Sequence, residues 1–327
     1  MKAIVITKPG GPEVLRPGEV ATPEPGAGDI RVRVRAAGVN RGDLLQRRGL
    51  YPPPRGWPET VPGLEFAGEV EAVGRDVARW QGGERVMGLV GGGSYAEYAV
   101  VHEREAIAVP MSLTLEQAAA VPEAFITAHD ALFTRLRLRL GEWLLVHAVG
   151  SGVGTAAAQL AAAAGARVIG TARSAWKLER ATSLGVTHPV DASREDFAES
   201  VARITGSAGV DAILDLVGAG YFSGNLQALA MLGRMVVVGT VSGTATELDL
   251  RTLMRKRLTL IGTVLRARPL EQKIDAAVRF EREVGPLLEA RRVEPVIDRV
   301  LPMREAGAAH RLLEANETFG KVVLVWD

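Results

Sequence analysis

Cysteine is absent from all 327 residues. That excludes disulfides, a cysteine nucleophile and any thiolate-bound metal. Long apolar runs are missing too. Nothing approaches the roughly 18 consecutive apolar residues of a membrane-spanning helix, so no membrane insertion is expected. The opening MKAIVITKPGGPE reaches Lys8 and Pro9 before a signal-peptide core can form, and the chain reads as cytoplasmic. Neither sign of charge is in excess. Lys and Arg number 39, Asp and Glu 38, and the formal net charge is +1. No strong pull toward nucleic acid or a membrane surface follows. The basic runs Arg135 to Arg139 and Arg251 to Arg257 read as solvated faces. The five histidines, at 102, 129, 147, 188 and 310, form no close-spaced ligand pair, so no metal site is expected. Asparagine is scarce, a compositional hint of a heat-tolerant source.

What is present is organised around residues 141 to 165, GEWLLVHAVGSGVGTAAAQLAAAAG. Trp143 to Val146 is a short apolar run of the kind that forms a strand covered on both faces. Gly150, Ser151, Gly152, Val153 and Gly154 make a glycine-rich turn. An Ala-rich helical stretch follows, Thr155 to Ala164, with Gly165 as its stop. Strand, glycine turn and helix in that order point to a dinucleotide pyrophosphate, because glycines allow close approach and the helix N-terminus offers unpaired N–H groups. The strict GxGxxG spacing is not met, since Thr155 stands where the third glycine would fall.

Either side of this stretch the chain has two characters. Residues 1 to 112 are β-rich with Pro- and Gly-punctuated turns. Ile30 to Ala36 alternates apolar and basic residues, the period of a half-buried strand. Glu65 to Val73, Glu84 to Val90 and Tyr95 to Val101 continue it. Polar residues lie on the intervening loops, in GVNRGD at 38 to 43 and GLYPPP at 49 to 54, and either cap turns or do chemistry. Leu113 to Arg135 reads as one or two helices broken at Pro122. From 141 on, strands are expected at Ala166 to Thr171, His188 to Asp191, Val210 to Val217, Arg234 to Thr240 and Leu258 to Val264. Helices are expected between them, including one at Leu226 to Leu232. This alternation implies a doubly wound parallel sheet. Two further helices and a closing strand, Gly320 to Trp326, are expected to return to the first domain. The fold class is therefore α/β. Its domains are 1–112 with 265–327, and 113–264.

NAD-binding sheets place a carboxylate at the end of the second strand. Here that strand ends Gly170-Thr171-Ala172-Arg173-Ser174, with Lys177 a turn later. Arg173, Ser174 and Lys177 suit a 2′-phosphate instead, so the expected cofactor is NADPH.

With these residues in hand, the chain resembles the zinc-free quinone oxidoreductases, the zeta-crystallin-like group of the medium-chain dehydrogenase/reductase superfamily. The resemblance rests on GGPEVL at 10 to 15, GVNRGD, GLYP, PGLEFAGEVEAVG at 62 to 74, SYAEY at 94 to 98, ITAHDAL at 126 to 132, the glycine loop, VDAILDLVG at 210 to 218 and the terminal GKVVLV. It covers nearly the whole chain. It implies a GroES-like catalytic domain, a Rossmann domain, NADPH in an interdomain cleft, and a homodimer formed through the strand near Leu258 to Val264. It also implies roles. Asn40 and Tyr51 line the substrate side and hydrogen-bond an acceptor oxygen, with Tyr51 a conceivable proton donor. Thr127, Gly239 and Thr240 hold the nicotinamide end. Lys321 reaches the cofactor. Ser151 stands where the family loop usually has glycine. Zinc-dependent alcohol dehydrogenases of the superfamily carry a cysteine ligand where this chain has Asn40 and a histidine where it has Leu64.

The activity this implies is NADPH-dependent, metal-free reduction of a quinone. Two alternatives stay open. One is reduction of an enone or enoyl thioester by the same fold. The other is a protein that holds NADPH with little turnover.

Overall fold

The structure is a computed structural model and describes residues 1–326. It forms two compact units, residues 1–126 with the chain from Leu265 onward, and Thr127–Val264. Residues 113–126, grouped with the second domain on sequence, lie in the first unit. The Glu123 amide donates there to Glu65.

In the first unit, β1 (Lys2–Ile6) pairs antiparallel with β2 (Leu15–Glu19). The main sheet uses β3 (Asp29–Gly38), β4 (Glu65–Val73), β5 (Arg85–Leu89), β6 (Tyr98–His102) and β7 (Ile107–Ala108). The alternation in β3 is realised. Ile30, Val32 and Val34 are buried, while Arg31 and Arg35 point outward and pair with Glu71 and Glu69 at 2.6 and 2.9 Å.

The second unit holds β8 (Trp143–Val146), β9 (Arg167–Ala172), β10 (Val186–Asp191), β11 (Val210–Asp215), β12 (Leu229–Val237) and β13 (Thr259–Gly262). All pair in parallel, in the order β10-β9-β8-β11-β12-β13. This is a Rossmann sheet, whose strand order reverses beside β8, where ligands of such sheets bind. One expectation fails here. Leu226 to Leu232 is not one helix. The helix Phe222–Ala228 stops at Ala228, and β12 starts at Leu229. Pairing with Val210 and the positive φ of Leu232, 63°, draw this apolar run into the sheet.

After the second unit the chain returns to the first. The helix Leu270–Glu289 is followed by β14 (Ile297–Pro302) and β15 (Lys321–Val325). The first unit's main sheet then runs β14-β15-β3-β4-β5-β7, with β6 also on β3. In it β15 lies antiparallel to β3, with Val323 opposite Gly38. No helix among the described residues is long and apolar enough to cross a membrane.

The first unit contains a buried polar chain that fixes the segment after β3. Arg47, fully buried, donates to Glu314, to the Gly10 carbonyl at 3.0 Å and to His310 Nδ1 at 3.2 Å. A guanidinium only donates, so Nδ1 accepts and the ring proton sits on Nε2. Burial, with Arg47 beside it, pushes His310 down to about 3, so the ring is neutral. Nε2 then donates to Tyr95 Oη at 3.3 Å, and Tyr95 donates to Asp43 Oδ2 at 3.2 Å. Asp43 completes the chain by accepting from the Asn40 and Gly63 amides at 2.8 and 3.1 Å. Arg47→Met leaves the buried His310 acceptor and the Gly10 carbonyl without their donor, while Glu314 keeps Arg48 at 2.5 Å. The substitution is expected to cost about 3–5 kcal/mol, read as a lower denaturant midpoint.

Candidate functional site

The second unit assembles the glycine loop at the carboxyl end of β8. The helix Gly152–Ala163 begins there, and Ser151 is its N-cap, with Oγ accepting from the Gly154 amide at 3.1 Å. The serine in place of glycine therefore closes the helix end itself. Its hydroxyl proton is left to point elsewhere, as are the amides of Gly152 and Val153. Gly154 is required by contact. A Cβ there would lie 2.5 Å from the Ala148 carbonyl oxygen and 2.7 Å from the Val149 Cα. A pyrophosphate fits this cradle on the same grounds, close backbone and a positive helix end.

His147 anchors the loop from below. It is fully buried, and burial pushes it below the usual histidine range. Its Nδ1 lies 2.8 Å from Thr171 Oγ1 and its Nε2 2.7 Å from Asn225 Oδ1. Asn225 Nδ2 donates to Asp215 Oδ2 at 3.1 Å, and Asp215 Oδ1 accepts from the Val217 and Gly218 amides. One neutral imidazole thus ties the end of β8 to β9 and to the helix Phe222–Ala228, and through Asn225 to β11.

Around this loop stand the remaining residues singled out in this unit. Arg173 is exposed at the end of β9, followed by Ser174, the N-cap of the helix Ala175–Thr182, and by Lys177 beside Trp176. Gly239 and Thr240 follow β12. They lie against Gly218, where a Cβ would sit 2.8 Å from the Thr240 Cα. Thr127 is buried at the head of the short helix Thr127–His129.

The first unit assembles a second group of residues. Asn40 ends the extended segment after β3 and is the N-cap of the helix Arg41–Arg47. Its side-chain amide donates to the Gly38 carbonyl at 3.2 Å and to Glu65 Oε1 at 2.9 Å. Its Oδ1 accepts from Lys321 Nζ. A carboxylate on one side and an ammonium on the other leave only one orientation for the amide. Lys321, at the start of β15, also donates to the Val39 carbonyl at 3.0 Å and lies 2.6 Å from Glu65 Oε1. Glu65 is fully buried, and its Oε2 accepts from the Glu123 amide at 2.8 Å. Gly38 makes room for this carboxylate, because a Cβ there would lie 2.1 Å from Glu65 Oε1.

Two sequence expectations change here. Asn40 was expected to hydrogen-bond an acceptor oxygen, but both its donors are committed inside the protein, leaving one acceptor lone pair. Lys321 was expected to reach the cofactor, but its three ammonium protons meet Val39, Asn40 and Glu65. It holds Asn40 in place instead.

Tyr51 is half-buried. Arg266 stacks on its ring, 4.7 Å from guanidinium carbon to centroid, and donates to the Tyr51 carbonyl at 3.0 Å. Burial raises the phenol above its ordinary value, so it stays a proton donor. Arg266 also donates to Gly91 and Gln46.

Glu65, Glu123 and Arg266 were missed on sequence. Glu65 gave a signal, a carboxylate in the apolar half of β4. Glu123 follows Pro122 like any acidic helix start, and Arg266 gave none.

Comparison with known proteins agrees with this geometry. Residues 26–111 match the alcohol dehydrogenase GroES-like domain family, and 152–281 match the zinc-binding dehydrogenase family. A quinone oxidoreductase of Pseudomonas aeruginosa is 36% identical over 99% of both chains. The chain belongs to the quinone oxidoreductases of the medium-chain dehydrogenase/reductase superfamily. The structure of the Escherichia coli quinone oxidoreductase complexed with NADPH superposes with a TM-score of 0.88, at 30% identity over 99% of this chain and all of that one. The CurK enoyl reductase gives 0.86 at 27% identity, over 100% of this chain and 99% of that one. The zinc in one family description meets no suitable donor set. Among the described residues no three His, Asp or Glu side chains gather as a metal site. At Asn40 the Lys321 ammonium already stands between the amide oxygen and Glu65.

Lys321→Met removes the only cation hydrogen-bonded to this carboxylate among the described residues. It is expected to cost about 3–5 kcal/mol at neutral pH, because a buried Glu65 is left without its counter-ion. Denaturation of the variant against the parent measures this.

Proposed function

We propose that this oxidoreductase is an NADPH-dependent quinone reductase that transfers hydride without a metal. The observation carrying the reading is the donor set at Asn40, where a lysine ammonium, an amide and a carboxylate bind one another. Zinc in alcohol dehydrogenases acts as a Lewis acid on an alkoxide. Quinones accept hydride without that help, because the added charge spreads over a conjugated ring and its oxygens.

NADPH, when bound, supplies the hydride. The chain's own part is to bind and orient, which lowers a barrier by several kcal/mol. In this reading Gly150, Ser151, Gly152, Val153 and Gly154 take the pyrophosphate. Arg173, Ser174 and Lys177 take the 2′-phosphate, since no carboxylate follows β9. Thr127, Gly239 and Thr240 position the nicotinamide end. Tyr51 donates to the acceptor oxygen, and Asn40, held by Lys321, offers its remaining lone pair to a cofactor or substrate hydroxyl. The protein acts in the cytoplasm as a homodimer through β13. β13 is the last strand of its sheet and pairs there with β12, so its other edge can take a second copy. A second reading, reduction of an enoyl thioester, is favoured by the likeness to CurK.

Oxidation of NADPH and NADH by chelator-treated protein tests the proposal, with a quinone panel, an enoyl thioester and a simple aldehyde as acceptors. NADPH-selective quinone turnover, unchanged by the chelator, is expected. Turnover of the thioester alone would transfer the reading to the enoyl reductases. Sensitivity to chelator would end the metal-free mechanism, and NADPH binding without any turnover would leave a binding protein. Arg173→Ala is expected to weaken NADPH binding roughly 10- to 100-fold, the worth of a hydrogen bond to a charged group, and to leave NADH binding alone. Fluorescence titration with each nucleotide checks it.

A further inference from the structure

The hydrogen bonds around Asn40 leave few groups able to give up a proton. The donors of Asn40 and Lys321 are committed, and all three nitrogens of Arg266 donate within the protein. Both oxygens of Asp43 and of Glu65 accept. Among the described residues, only the Tyr51 hydroxyl and the Glu123 carboxyl in this group have no protein hydrogen bond. Glu123 is half-buried at the head of the helical segment Pro122–Ile126. It lines a small cavity with Gly91, Leu265, Arg266 and Lys273, and its own amide grips Glu65 at 2.8 Å.

We infer that Glu123 is the catalytic acid that protonates the reduced acceptor. The inference rests on the quinone-reductase reading above. A hydride supplied by bound NADPH would bring two electrons to the quinone and leave it with an anionic oxygen. The O–H bond of the Glu123 carboxyl then breaks, and an O–H bond forms on that oxygen. The hydroquinone departs, and the carboxylate regains a proton from solvent.

The surroundings keep that proton available. Removal from water, then the Glu65 carboxylate on β4 and Asp43 on the helix Arg41–Arg47, push Glu123 up to about 8, against the pull of Lys321 and Arg266. Lys273, the other cation at the cavity, is paired with Glu105 at 2.9 Å. An acid whose pKa lies near the working pH is the most effective. Tyr51 is weaker, since burial raises it from an ordinary value of 10.0.

Glu123→Gln keeps the shape and removes the transferable proton. Quinone turnover is expected to fall about 10²-fold, with NADPH affinity unchanged by fluorescence titration. Wild-type turnover should decline as pH rises through about 8, and that limb should vanish in the Gln variant. Glu123→Asp should restore part of the rate. A second readout needs no cofactor. The folded carboxyl holds its proton up to about 8, whereas the unfolded chain releases it near 4.5. Wild type should therefore lose stability relative to Glu123→Gln as pH rises across that window. Equal turnover and pH profiles in the two proteins, or equal stability slopes, would overturn the inference and leave the quinone reading standing. Wild type that binds NADPH and reduces no quinone would remove the quinone reading, and this inference with it.

Discussion

The first unit depends on one buried ammonium. Lys321 Nζ lies 2.6 Å from Glu65 Oε1, 3.0 Å from the Val39 carbonyl and within bonding distance of Asn40 Oδ1. It therefore joins β15 to β4 and to the turn that leaves β3. The cost of burying Lys321 and Glu65 is large, and it is offset only because every proton and most lone pairs find partners. The same contact fixes the amide of Asn40 in one orientation, and the other oxygen of Glu65 accepts from the Glu123 amide.

Both units use neutral imidazoles in the same way. His310 joins Arg47 to Tyr95 and so to Asp43, and His147 joins Thr171 to Asn225 and so to Asp215. Each histidine is held neutral by burial, accepts at one nitrogen and donates at the other. Each chain ends on a carboxylate that takes backbone amides of a functional loop: Asn40 and Gly63 in one unit, Val217 and Gly218 in the other. Buried side chains thereby set the backbone where a ligand is expected. A satisfied buried network of this kind rigidifies the loop it ends on.

Much of the fold was legible in local pattern. The period-2 run of β3 and the apolar strands β8 to β11 follow from which faces are covered, and the glycine loop from strand, turn and helix in order. The limits of local pattern appear at Leu229 to Leu232, where apolar residues suited to a helix pair with a strand. They appear again at 113–126, whose partners lie more than fifty residues away on β4. Within the candidate site, Asn40, Tyr51 and the loop glycines announced themselves by motif. Their partners did not. Glu65 and Lys321 are 256 positions apart in the chain, and only β15 entering the sheet beside β3 brings them together. Hydrogen-bond saturation is a property of that assembly, so sequence placed Asn40 and Lys321 at the site and misjudged what their donors reach.

The central claim is that the Lys321–Glu65 pair organises the Asn40 segment. A double-mutant cycle on stability tests it most directly, with Lys321→Met, Glu65→Gln and the combination. Neutralising Glu65 should rescue much of the lysine's loss, so the double variant should be less destabilised than the sum by about 1–3 kcal/mol. Additivity within roughly 0.3–0.5 kcal/mol would show that the two groups act independently and would contradict the account.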